Sequence, residues 1–189
     1  MEQDEDFSMY LSNLRHVQKK HGFQLYNYEL MNSHIHLFIQ AAPDVPLSKT
    51  MHLVNWKYTL HYNRKRNRKG HLWLDRYRCI PVQSDRYALA LMRYMNRNPL
   101  RAQMVEKPGQ WRWSGYRFYA LGEENELLQP HPSYLALNNL SKKRQNEYEI
   151  LVSETLNGSD QRDPQFSEGP YIGTKQFGEA LQISFSGNK

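Results

Sequence analysis

Apolar side chains recur at three- and four-residue spacing over residues 5 to 21. Phe7, Tyr10, Leu11, Leu14 and Val17 fall on one stripe, which predicts an amphipathic helix. Gly22 follows where a helix commonly ends in a left-handed residue. From Phe23 to Met31 the period changes to two. Tyr26, Tyr28 and Leu30 share one face and Asn27 and Glu29 the other, with Phe23 and Leu25 out of step on the polar side. Asn32-Ser33 marks a turn, and His34 to Ile39 reads as a second strand, so the two strands form a β-hairpin. After a loop with Pro43 and Pro46, Ser48 is placed to cap a helix running to about Tyr62, with Met51, Val54, Tyr58 and Leu60 on its buried side.

A basic turn from Asn63 to Gly70 leads to Trp73–Val82, which predicts another strand, with Pro81 favouring an edge or a strand end. Ser84-Asp85 then caps a helix from about Arg86 to Asn98, which Pro99 stops or kinks. Residues 106–120 are rich in aromatics. Beyond Ala120 the composition turns acidic and polar. Short helices are predicted over 133–139, 141–155 and 174–181, with a linker from Asn157 to Pro164. The pattern gives a domain over residues 1–120 and a helical extension over 121–189. Strands segregated from helices define an α+β class with a mostly antiparallel sheet.

Composition narrows the chemistry. The 189 residues hold one cysteine, Cys79, which excludes an internal disulfide and a thiolate zinc site and is read as a buried strand residue. No apolar run approaches the ~20 residues of a membrane span, and the acidic start Met1-Glu2-Gln3-Asp4-Glu5-Asp6 is no secretory signal, so a cytoplasmic protein is expected. The net charge of +6 is uneven: residues 56–107 hold 13 basic and 3 acidic side chains, which is +10, leaving −4 for the rest. A concentrated basic segment suits a polyanion such as nucleic acid; a solvated cationic face is the simpler alternative.

His34 and His36, two apart on a strand, project from one face. Convergent imidazoles can bind a divalent metal, or they can be ordinary surface or hydrogen-bonded histidines. Tyr94 and Asn98 share a helix face; alternatively Tyr94 packs in the core with Tyr87 and Leu91 while Asn98 ends the helix. Trp111, Trp113 and Tyr116 are read first as core aromatics and second as platforms for unpaired bases, and His52, His61 and His71 as surface or packing residues.

The stretch Tyr28-Glu29-Leu30-Met31-Asn32-Ser33-His34-Ile35-His36-Leu37 resembles the strand-turn-strand of the IS200-like transposases, and more closely their REP-associated tyrosine transposase relatives. The resemblance continues through Gly70-His71-Leu72-Trp73, Arg76-Tyr77-Arg78, the run from Arg93 to Ala102, and Trp111-Arg112-Trp113-Ser114-Gly115-Tyr116, covering roughly residues 5–120 in the family's order. It implies a ferredoxin-like antiparallel sheet with helices packed on it. It implies a single-strand DNA endonuclease and strand transferase acting at palindromic hairpins. His34, His36 and Asn98 would hold a divalent metal, Mg²⁺ or Mn²⁺, and Tyr94 would be the nucleophile. Arg64, Lys65, Arg66, Arg68, Lys69, Arg76, Arg78, Arg93, Arg97 and Arg101 are the candidate DNA contacts. The partner is single-stranded or hairpin DNA, with no membrane, and the protein is either monomer or homodimer. A defective or domesticated relative that binds hairpins without cutting is the alternative. A metal hydrolase is disfavoured, since such sites want three or more ligands and only Glu29 and Asp44 are acids near the pair. Relatives usually carry a strand before the first helix, whereas here Met1 lies next to that helix. The neighbouring strand is therefore expected to expose an edge, unless residues 121–189 or a partner chain cover it.

Overall fold

The computed structural model describes residues 1, 3–83, 86–154, 164–166 and 168–186. They form two compact units. The first comprises Met1–Arg78, Trp113–Gly115 and Glu124–Gln129; the second comprises Cys79–Arg112, Tyr116–Glu123 and the described residues beyond Pro130. The class is α+β, an antiparallel ladder with packed helices. Among the described residues no helix is long and apolar enough to cross a membrane.

In the first unit, α1 (Asp4–His21) buries the expected stripe of Phe7, Tyr10, Leu14 and Val17. Gly22 ends it at φ 72°, ψ 18°, its N–H donating to the Gln18 carbonyl at 2.8 Å. β1 (Gln24–Leu30) and β2 (Ile35–Gln40) pair antiparallel, with Glu29 opposite His36 and Leu30 opposite Ile35. A bulge between Leu25 and Asn27 accounts for the imperfect alternation of the sequence. It turns Tyr26 toward the Gln24 and Gln40 side chains, which accept its hydroxyl, and away from the face shared by Tyr28 and Leu30.

The edge of β1 expected to be open is occupied by the chain itself. Leu30 N–H donates to the Trp113 carbonyl at 2.9 Å, and Gly115 N–H to the Tyr28 carbonyl at 3.0 Å. Below them Leu128 bridges Leu25, and Gln129 N–H reaches the Leu25 carbonyl at 2.9 Å. Gly115 is required by proximity: a Cβ there would lie 2.1 Å from Asn27 Oδ1. Trp113 stacks on Phe7 with centroids 5.0 Å apart and is a core residue, as is Tyr116 of the second unit.

α2 (Leu47–Lys65) packs on α1 through Met51, Val54 and Tyr58, but Leu60 is exposed. The helix runs three residues past the expected end, so the basic run begins inside it. The acidic first turn of α1 consequently meets the basic end of α2. Asp6, wholly buried, takes Arg66 in a two-bond fork at 3.2 and 2.8 Å, and Lys65 reaches Asp6 at 3.3 Å and Glu5 at 2.6 Å. Charges of this sign also suit the two helix ends. No strand forms over 73–82. Trp73 instead docks beside Tyr10 and Tyr58 and donates to the Asn55 carbonyl at 3.3 Å, which holds an irregular loop. Cys79 is exposed and on no strand, contrary to expectation.

The second unit contains α3 (Arg86–Asn96), α4 (Asn98–Arg101), α5 (Pro132–Leu135), α6 (Ser141–Ser153) and α7 (Lys175–Ser186). Residues 155–163, most of the expected linker, and the cap Ser84-Asp85 lie outside the described residues. Tyr119, Tyr134 and Tyr148 form a buried cluster with centroids 4.7 to 5.6 Å apart, and Asn96 donates to the Tyr148 hydroxyl at 2.8 Å. Ile172 pairs with Val82 in a parallel bridge.

Two outcomes follow. Asp6→Ala removes the acceptor of a buried fork and is expected to destabilise the protein by about 2–4 kcal/mol in urea denaturation. His21, whose Nδ1 lies 2.9 Å from Thr50 Oγ1, has its pKa lowered from 6.5 by burial, with Lys20 and Lys49 adding to the effect. The unfolded chain therefore takes up this proton more readily. Stability is expected to fall as pH drops through the unfolded value, and His21→Gln is expected to flatten the decline between about pH 7.5 and 5.5.

Candidate functional site

The hairpin turn sets the two histidines. Met31 N–H donates to the His34 carbonyl at 2.9 Å, closing the loop one residue before β2 begins. His34 is exposed, with its Nδ1 3.0 Å from Ser33 Oγ; His36 is half-buried. The two rings lie 4.8 Å apart, centre to centre, and perpendicular at 89°. Two imidazoles side by side on an accessible hairpin suit a divalent ion that keeps open positions for an anionic substrate. Among the described residues no group of three or more His, Cys, Asp or Glu is gathered to hold a metal. Behind the pair sits a residue whose burial the sequence did not disclose. Glu29 is fully buried, registered opposite His36 on one side and Ser114 on the other. Burial raises the pKa of neighbouring Tyr28, and the Glu29 charge acts in the same direction.

The basic segment divides by role. Lys65 and Arg66 are engaged by Glu5 and Asp6, and the Arg66 guanidinium also lies 4.0 Å over the Tyr62 ring. Arg64, Arg68, Lys69, Arg76 and Arg78 are exposed, Arg68 donating to the His71 carbonyl at 3.1 Å.

In the second unit, α3 and α4 carry the remaining residues. Two of the arginines expected at DNA reach the end of α6. Arg97, only 4% exposed, donates to the Val152 carbonyl at 2.6 Å, and Arg93 donates to the carbonyls of Leu151, at 2.7 Å, and Glu154. Cations at a helix C-terminus satisfy carbonyls that the helix itself leaves unbonded. Tyr94 is 6% exposed and stacks on Phe166, with centroids 5.0 Å apart and planes at 27°. Arg101 ties Tyr94 to Asn98. Its guanidinium lies 4.3 Å from the centre of the Tyr94 ring, and its Nη2 donates to the Tyr94 carbonyl and to Asn98 Oδ1, each at 2.5 Å. The sequence-expected residues thus fall into two sets: His34 with His36 in the first unit, and Tyr94 with Asn98 and Arg101 in the second.

A family model, transposase IS200 like, matches residues 3–98, a span that includes both histidines, the tyrosine and the asparagine. The chain belongs to the IS200-like transposase family. No curated protein and no solved structure matches it.

The Phe166 stack is testable alone. An aromatic pair contributes about 0.5–1.5 kcal/mol, roughly a two- to tenfold change in the fraction of time Tyr94 is uncovered. Phe166→Ala is expected to raise nitration of Tyr94 by tetranitromethane by a comparable factor, read by peptide mapping. An unchanged rate would show that other residues bury Tyr94.

Proposed function

We propose that the protein is a metal-dependent endonuclease and strand transferase for single-stranded DNA, acting at palindromic hairpins through a 5′-phosphotyrosine. The observation that carries this reading is the perpendicular His34–His36 pair, which lies with Tyr94 inside the span matched by the transposase family. His34 and His36 would hold the ion by neutral imidazole nitrogens, so the ion's charge would remain available to a phosphate. A bound divalent ion, Mg²⁺ or Mn²⁺, polarises the scissile phosphate. The Tyr94 oxygen attacks phosphorus and gives up its proton. The P–O3′ bond breaks, and the departing oxygen takes a proton to become a 3′-hydroxyl. The covalent bond preserves the phosphodiester energy, so rejoining to a second strand needs no nucleotide. Exposed Arg64, Arg68, Lys69, Arg76 and Arg78 are the proposed phosphate contacts; Arg93 and Arg97 are left out because α6 engages them.

A second reading, a hairpin-binding relative that does not cut, is favoured by the burial of Tyr94 beneath Phe166. One gel separates the two. End-labelled single strands carrying the palindromes beside the gene are incubated with Mn²⁺ or Mg²⁺ and run under denaturing conditions. Nuclease action is expected to give a metal-dependent covalent band that Tyr94→Phe and His34→Ala/His36→Ala abolish. Salt-sensitive binding with no band would establish the second reading. A band that survives Tyr94→Phe would overturn the assignment of the nucleophile.

The cation assignment has its own readout. Replacing Arg76 and Arg78 by Gln is expected to reduce the slope of log affinity against log salt by about 0.7 for each cation removed. Arg97→Gln is expected to leave the slope unchanged and to lower thermal stability.

A further inference from the structure

We infer that Asn98 is a hydrogen-bond donor to an oxygen of the DNA phosphate attacked by Tyr94, and that it is no ligand of the metal. The inference rests on the nuclease reading above and changes what one of its residues does.

The orientation of the Asn98 amide is fixed by its neighbour. A guanidinium has only donors, so the amide atom 2.5 Å from Arg101 Nη2 is the oxygen. A cation needs that same oxygen, because an amide nitrogen has no lone pair to offer. Any ion bound there would lie roughly 4–5 Å from the guanidinium, two positive charges competing for one neutral acceptor. The other amide atom points to a ligand of opposite kind. Asn98 is 8% exposed, and its Nδ2 is buried with no hydrogen-bond acceptor. A buried donor without an acceptor is costly, and such groups in a functional site are commonly completed by a bound molecule. The group it fits is an oxygen anion.

The same guanidinium makes Tyr94 the neighbour of that donor. Arg101 bonds the Tyr94 carbonyl and lies over its ring while it holds Asn98. One guanidinium thus joins the Tyr94 ring to an asparagine whose amide N–H is unsatisfied. Negative charge grows on the phosphoryl oxygens during attack, and a donor held in place beforehand stabilises it.

The test is a rank order. Asn98→Asp keeps the shape and the bond to Arg101, and replaces the donor by a negative charge. Asn98→Ala removes the donor and adds none. A phosphate donor is expected to give adduct rates in the order wild type, Asn98→Ala, Asn98→Asp, with the alanine variant lower by on the order of 10²-fold. A metal ligand, or a residue that serves only to hold Arg101, would instead make Asn98→Asp the better of the two and overturn the inference. Mn²⁺ titration of the same proteins, followed by electron paramagnetic resonance, provides a readout independent of cleavage. Both Asn98 variants are expected to bind Mn²⁺ as wild type does, whereas His34→Ala/His36→Ala loses binding. A tenfold or greater loss of Mn²⁺ affinity in Asn98→Ala, or a gain in Asn98→Asp, would make Asn98 a ligand and refute the proposal. A wild-type chain that forms no adduct would remove the nuclease reading and the phosphate role with it, while one that does, with Asn98→Asp at full rate, would remove the phosphate role alone.

Discussion

The first unit depends on β1 having hydrogen-bonded neighbours along both edges. A lone two-stranded hairpin is marginal in water, and β1 buries every residue after Gln24, including the charged Glu29 and the polar Asn27. Such a strand needs a neighbour on its second side, because each unpaired buried backbone group carries a penalty. Residues 113–115 and 128–129 supply it, tied down by the Phe7–Trp113 stack, by Gln18 donating to the Leu127 carbonyl and by Asn125 donating to the Tyr28 hydroxyl. The neighbour comes from far along the sequence, so the hairpin bearing His34 and His36 is completed only when the chain has passed through residues 79–112 and returned. Long-range closure of this kind has an entropic cost, which burial of Leu25, Tyr28, Leu30 and Trp113 offsets.

The positive charge of the middle segment looks uniform in the sequence and is differentiated in the structure. Lys65 and Arg66 neutralise the acidic start of α1; Arg93 and Arg97 close the carbonyl end of α6; Arg101 joins Tyr94 to Asn98. Each of these guanidinium or ammonium groups compensates something buried: a carboxylate, a set of helix carbonyls, an amide oxygen. Of the candidate DNA contacts, Arg64, Arg68, Lys69, Arg76 and Arg78 are exposed. Net charge alone therefore overstates the cationic surface available to a polyanion.

Local rules were reliable where local forces decide. α1, its glycine end and the hairpin follow from period and turn residues, and the positions of His34 and His36 follow from those. The strand expected over 73–82 failed because its apolar residues serve a different purpose. Trp73 packs on the helix residues Tyr10 and Tyr58, and among the described residues the segment gains only a single bridge, Val82 with Ile172, in place of a ladder. The role of Leu60 failed for a related reason, since the buried face of α2 is set by contact with α1 and runs through Thr50, Met51, Val54 and Tyr58. Arg93 and Arg97 were unreadable as helix caps because their acceptors lie more than fifty residues on, at the end of α6. The same holds for Glu29: a strand sequence shows an acid near two histidines, and only the register places it opposite His36, buried between two neighbours.

Tyr94 and Asn98 show how a position can be legible while its chemistry is not. Their spacing of one helical turn puts them on one side of the chain, and this much survives even though α3 ends at Asn96 and α4 begins at Asn98. Spacing cannot say which end of an amide faces outward. That is decided by Arg101, three residues beyond, whose donor-only guanidinium takes the oxygen and leaves the nitrogen. An asparagine offered as oxygen is a ligand for a cation, and the same asparagine offered as nitrogen is a ligand for an anion. In this chain a single hydrogen bond from Arg101 takes the oxygen, and the nitrogen is the amide atom left without a partner.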